Sequence, residues 1–125
     1  SAYTSFLIHT AADVITRAWK RRQPVTARDA TTSFGEGWVE NISDSAEIDR
    51  EATILQLLNL RGKNIATLTN FACHPTILND KNTLISADYP SGFYKQMRAK
   101  LGGVNLFFQG AIGGWGQPGK SVPRF

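Results

Sequence analysis

The order of apolar patterns along the chain predicts an α/β fold, with α+β as the near alternative: a mixed sheet flanked by helices. Three observations carry this expectation. Residues 53–60 and 65–73 are apolar, β-branched runs joined by the polar connection Arg61-Gly62-Lys63-Asn64, which is a hairpin signal. Residues 104–108 form a third apolar run, separated from the second by a helical stripe, so that strand, helix and strand follow one another as in a βαβ unit. An amphipathic helix opens the chain. A length of 125 residues suits one domain with a real core, and 42% hydrophobic with 19% charged residues is an ordinary globular balance. No apolar run approaches the ~18–20 residues that a membrane-crossing helix needs.

The elements follow in order. Residues 1–19 place Leu7, Ala11, Val14, Ile15 and Ala18 at helical spacing, with Thr4 or Ser5 available as a cap and Pro24 as a stop. Residues 26–45 are polar and broken by Gly35 and Gly37, with a short strand expected at 37–40. Residues 43–50 read as a charged, flexible turn. The two runs of the hairpin should pair antiparallel. Both are apolar on both faces, which predicts a covered sheet. Residues 76–83 form a polar loop. Asp88 is placed to cap the next helix, and Pro90 suits its first turn. In that helix Phe93, Met97 and Leu101 recur every four residues as one stripe facing the sheet, and Gly102-Gly103 ends it. Residues 104–108 then read as a buried strand, 110–116 as a glycine-rich loop, and 119–125 as a patternless tail that dangles.

Charge narrows the function classes. The net charge is +4, and the sequence pI is near 9.5. The densest basic run, Lys20-Arg21-Arg22, falls at a helix end, where cations complement the helix dipole. Basic residues are not interleaved with aromatics on one face, so no nucleic-acid partner is expected; a basic nucleic-acid-binding module would rest on the pI alone. One cysteine, Cys73, rules out an internal disulfide and a cysteine-based zinc site. Ser1 is not an initiator Met and no signal peptide is apparent, so the chain reads as processed or as a piece of something longer.

The residue around which a site would be built is His74. The run from Ile65 carries the chain to Asn70-Phe71-Ala72-Cys73-His74-Pro75, where Pro75 forbids the ladder from continuing and biases His74 toward an extended backbone. This puts an imidazole at the mouth of a strand, where loops held by a rigid sheet commonly carry function. A histidine ending a strand also serves as a plain structural residue. His9 reads as a surface or boundary residue of the first helix. Cys73 should point away from His74 by strand alternation and behave as a small apolar residue. Asp88 has two compatible readings: helix cap, or a group that orients a metal-bound imidazole. Tyr89 lies at the same mouth. The loop 110–116, with Gly113 and Gly114, is either a tight turn or a presenter of backbone N–H groups to an oxyanion. It lacks the Lys-Ser or Lys-Thr of a phosphate-binding loop.

Three blocks in order, Ile65 to Pro75, Leu84-Ile-Ser-Ala-Asp88-Tyr-Pro90, and Leu101-Gly-Gly-Val-Asn-Leu-Phe-Phe-Gln109-Gly-Ala-Ile-Gly113, resemble the neutral/alkaline (non-lysosomal) ceramidase family. The resemblance implies a zinc-dependent amidase that hydrolyses the N-acyl bond of ceramide to sphingosine and fatty acid. It implies that residues 1–125 are a fragment of the N-terminal catalytic domain. Family members bind zinc through two His, a Glu and a Tyr. His74 matches the second of those histidines; the first would lie upstream of Ser1, and the Glu and Tyr downstream of Phe125. The implied partners are ceramide or a related N-acyl lipid, the remainder of the same polypeptide, and a membrane surface touched peripherally. A secreted or extracytoplasmic location is suggested by the resemblance only.

Amide hydrolysis wants a metal that polarises the carbonyl and lowers the pKa of a bound water to about 7, usually on three protein ligands. One histidine with no partner at metal-motif spacing should bind zinc poorly by itself. Two departures motivate an alternative, a catalytically inactive scaffold or lipid-binding protein. Gly114 stands where the family commonly has Asp, and Gly116 where well-studied members have Ser. The family's Asn-Arg motif appears as Asn41-Ile42, without the Arg.

Overall fold

The computed structural model describes all residues except 46, 114, 115, 121 and 123–125. The element order is α1 (Ala2–Lys20), β1 (Thr26–Ser33), β2 (Val39–Glu40), β3 (Glu51–Leu58), β4 (Asn64–Phe71), α2 (Tyr89–Leu101), β5 (Val104–Gln109) and β6 (Gln117–Pro118). Four strands form one sheet in the order β1-β3-β4-β5, and β2 pairs with β6. The fold is α/β with a mixed sheet, as the sequence predicts.

The hairpin forms as expected, with its bounds moved. Strands β3 and β4 pair antiparallel from Ala52↔Phe71 to Leu57↔Ala66, so each strand begins and ends one or two residues before the apolar run that marks it. The turn is closed by Asn59: its N–H donates to the Lys63 carbonyl, and its Oδ1 accepts from the N–H groups of Arg61 and Lys63. The fourth strand is a correction. Residues 26–33 are polar, yet they pair antiparallel with β3 from Thr26↔Leu58 to Ser33↔Glu51. All eight side chains of β1 are exposed, so hydrophobic periodicity is silent there, and β-branched Thr26, Thr31 and Thr32 suit an edge strand.

Strand β5 pairs parallel with β4, in register Leu68↔Leu106 and Asn70↔Phe108. Parallel neighbours need a crossover, and α2 supplies it. Its stripe packs on the sheet through Phe107, whose ring meets Phe93 edge-on at 5.3 Å and Tyr89 at 5.8 Å. Core residues Val39, Ala52, Phe71 and Cys73 cluster on that same face. The opposite face departs from the expectation of a sheet covered on both sides. The cross-strand row Leu55, Leu68 and Leu106 lies there, with Leu106 41% exposed and neighbouring Phe108 48% exposed. The strand 104–108 is therefore an edge strand covered on one face, not a buried one.

Other expectations move as well. Helix α1 is capped by Ser1, whose hydroxyl accepts from the Thr4 N–H, rather than by Thr4 or Ser5. None of its residues is buried. Arg22 lies 4.0 Å from the centre of the Trp19 ring and donates to the Trp19 carbonyl, which closes the helix end with a cation. The 43–50 turn is pinned rather than loose. Asn41, only 4% exposed, accepts from the N–H groups of Ser43 and Asp44 and donates to the Glu47 carbonyl. Within the 119–125 tail, two described residues are held: the Gly119 N–H donates to the Trp38 carbonyl at 2.7 Å, and Val122 is buried; residues 121 and 123–125 lie outside the described residues. No helix among the described residues is long and apolar enough to cross a membrane.

Candidate functional site

The site forms where β4 ends. Cys73 and His74 leave the strand between the start of α2 and the loop that follows β5. Ala72 and Cys73 are buried, whereas His74 is half-buried and brings its imidazole to the glycine loop. The His74 Nε2 lies 2.9 Å from the Gly113 carbonyl oxygen and 3.2 Å from the Gly113 nitrogen. With Nε2 protonated the ring donates to the carbonyl; with Nδ1 protonated it accepts from the N–H. The His74 main-chain N–H donates to the Gly116 carbonyl at 2.6 Å.

That approach depends on glycine. Gly116 has φ +59, and a Cβ there would collide with the Ala72 carbonyl. The loop can lie against the strand exit only because nothing projects from this position. Of the predicted site residues, Gly113 is therefore brought to His74; Gly114 lies outside the described residues.

Asp88 takes the cap position of α2. One carboxylate oxygen accepts from the Tyr89 N–H at 2.7 Å, and the other accepts from the Leu78 N–H at 2.7 Å. It ties the loop after His74 to the start of the helix, and both of these carboxylate hydrogen bonds are with backbone N–H groups. Its backbone has φ 55 and ψ −146, a conformation that side-chain-bearing residues seldom adopt. Strain of this sort gathers where surrounding contacts over-determine a residue.

Tyr89 does two things. Its ring packs on Phe107, and its hydroxyl donates to the Cys73 carbonyl at 2.6 Å. Gln109, at the end of β5, donates from Nε2 to the same carbonyl at 2.6 Å. Gln109 was not singled out by residue-type reasoning, because a lone Gln at a strand end has no distinctive spacing. Burial pushes the Tyr89 hydroxyl well above its ordinary range, with the neighbouring Cys73 and Asp88 adding to the shift. Burial likewise pushes the Cys73 thiol up to about 11, its interaction with Tyr89 partly opposing and the Asp88 charge reinforcing the rise. Cys73 is thus a protonated, small apolar residue at neutral pH.

Cys73 and Tyr89 also line a cavity of about 420 Å³ on the covered face of the sheet, walled by Phe34, Trp38, Ile54 and Phe71 among others. Its walls are nearly all apolar. The buried Thr69 hydroxyl, which has no hydrogen-bond partner among the described residues, is a polar atom on that wall.

The donor set decides what this chain can hold by itself. Among the described residues no three His, Cys, Asp or Glu side chains come together as a metal site. His74 supplies one imidazole, and its Nε2 is already engaged by Gly113. One donor does not fit a zinc ion, which takes three or four.

No family model matches the chain. Solved structures that share its fold include two ceramidases. The neutral ceramidase from Pseudomonas aeruginosa superposes with a TM-score of 0.68 at 23% identity, over 89% of this chain and 20% of the ceramidase. A structure described as a ceramidase complexed with C2 superposes with a TM-score of 0.66 at 23% identity, over 82% of this chain and 18% of the other. The chain spans about a fifth of the length of these proteins and has a ceramidase-like fold.

Proposed function

We propose that this chain is a segment of an amidohydrolase that resembles neutral ceramidase and cleaves the N-acyl amide of ceramide, or of a related lipid, to sphingosine and fatty acid. The observation that supports it is the convergence of His74 with Gly113 and Gly116 at the exit of β4, in a fold shared with neutral ceramidases. In this reading His74 is one zinc ligand of a site that the remainder of the polypeptide completes. Bound zinc would supply a polarised carbonyl and an activated water. The chain's own residues supply the frame: β4 delivers the imidazole, Gly113 borders it with its backbone N–H and carbonyl, and Asp88 holds the entry to α2. The apolar cavity beside Cys73 and Tyr89 suits an acyl chain, and membrane contact would follow from such a substrate.

A second reading has an observation of its own. Gly116, whose carbonyl accepts from the His74 main-chain N–H, has no side chain, and among the described residues no three His, Cys, Asp or Glu side chains come together as a metal site. A lipid-binding scaffold without hydrolytic chemistry would be built this way. The deciding experiment is ceramide hydrolysis by the whole protein, with zinc quantified, before and after His74→Ala. Turnover that vanishes in the variant, together with a loss of bound zinc, supports the amidase. Tight binding of ceramide with no turnover supports the scaffold.

A further inference from the structure

Cys73 and His74 share one peptide unit, and both ends of that unit are held. Its carbonyl accepts from the Tyr89 hydroxyl and from Gln109 Nε2, each at 2.6 Å. Its N–H donates to the Gly116 carbonyl, also at 2.6 Å. A carbonyl has two lone pairs, and here both are used. The three partners come from three places in the fold: the first residue of α2, the last residue of β5, and the loop beyond it. A peptide unit is planar, so fixing its two ends fixes the direction in which the His74 Cα leaves the strand.

We propose that Tyr89 and Gln109 are positioning residues that lock the Cys73–His74 peptide and, through it, aim the His74 imidazole at Gly113. Neither touches the imidazole. Tyr89 carries the lock from the helix side, where its ring is seated on Phe107, and Gln109 carries it from the sheet edge. Because both donate to one oxygen, loss of either leaves the other in place. The double variant should therefore lose more than the two single losses together. The catalytic consequence rests on the reading of His74 as the working imidazole; the geometric part does not.

The test uses Tyr89→Phe, which keeps the ring on Phe107, Gln109→Leu, which keeps a side chain of similar length, and the pair combined. In the whole protein labelled with ¹⁵N-histidine, the His74 amide and ring are read by NMR, while mass-spectrometric exchange follows peptides spanning β4. The expected result is a His74 amide that exchanges about tenfold faster in the double variant with β4 unchanged. The ring signals should move toward those of exposed, solvent-facing His9. Unmoved His74 signals, or an equal loss of protection across β4, would overturn the proposal, the latter because it marks a merely structural role. Ceramide turnover adds the second arm: kcat should fall about a hundredfold in the double variant at unchanged KM, the scale of a small misplacement of a reacting group. If the unmodified protein does not hydrolyse ceramide, the amidase reading fails and the NMR arm alone decides the positioning. If turnover is present and lost in His74→Ala but unchanged in the double variant, the positioning fails and the amidase stands.

Discussion

Asp88 offers a test in which alanine and glycine should exchange their usual ranks. In most folded positions glycine is the worse replacement, because it has more backbone entropy to lose. At Asp88 the backbone sits at φ 55 and ψ −146, where a Cβ is costly and glycine is at ease. Asp88→Ala removes both carboxylate hydrogen bonds, to Leu78 and Tyr89, at a residue only 9% exposed. Each of the two abandoned N–H groups costs about 1–3 kcal/mol, so the Ala variant should lose roughly 2–6 kcal/mol. Asp88→Gly suffers the same loss but relieves strain of about 1–3 kcal/mol. After the extra chain entropy of glycine, about 0.5–1 kcal/mol, it should be more stable than the Ala variant by roughly 1 kcal/mol. Urea unfolding with a common m-value reads the difference directly. An alanine variant at least as stable as the glycine variant would refute the claim that this backbone is strained.

Further outcomes follow from the same geometry. Gly116→Ala should cost several kcal/mol and release the His74 amide, because its Cβ meets the Ala72 carbonyl, whereas Gly62→Ala, with φ +77 and open space around it, should cost about 1 kcal/mol; denaturant titration of the two compares collision with backbone preference alone. Cys73 should resist iodoacetamide at pH 8 and become reactive only as pH approaches about 11, while the unfolded chain reacts near the ordinary thiol value of 9.0. The linkage has a definite sign: between those two values the unfolded state has already released the proton that the folded state keeps, so the Cys73 contribution to stability is full below about 9 and is lost as pH rises toward about 11, visible as a wild-type-minus-Cys73→Ala difference. Leu106→Lys, on the open sheet face, should change stability by less than about 1 kcal/mol and lower concentration-dependent light scattering, whereas Phe107→Ala, on the covered face, should cost roughly 3 kcal/mol or more.

What was legible from residues alone had local causes. The β3–β4 hairpin is announced by two apolar runs and a Gly-containing connection, α2 by Asp88, Pro90 and a four-residue stripe, and the prominence of His74 by the proline that follows it. Each signal is a property of neighbouring residues, and the α/β class follows from their order. The 26–33 strand was not legible, because an exposed edge strand has no buried face to impose alternation; it exists through its ladder with β3. The docking of Gly119 and the pinning of Ser43, Asp44 and Glu47 likewise depend on a partner distant in the chain or on the side chain of Asn41.

The division is sharpest at the site itself. Sequence by itself determined that an imidazole would end an apolar strand, with a capped helix and a glycine loop following later in the chain. Only the tertiary structure decided that Gly113 meets Nε2, that Gly116 must lack a side chain to permit it, and that Tyr89 and Gln109 share the Cys73 carbonyl. Those contacts join residues 16 to 44 positions apart, from Tyr89 and Cys73 to Gly116 and Ala72. No spacing rule reaches across such intervals, because the crossover through α2 and the parallel register of β5 on β4 set the distances.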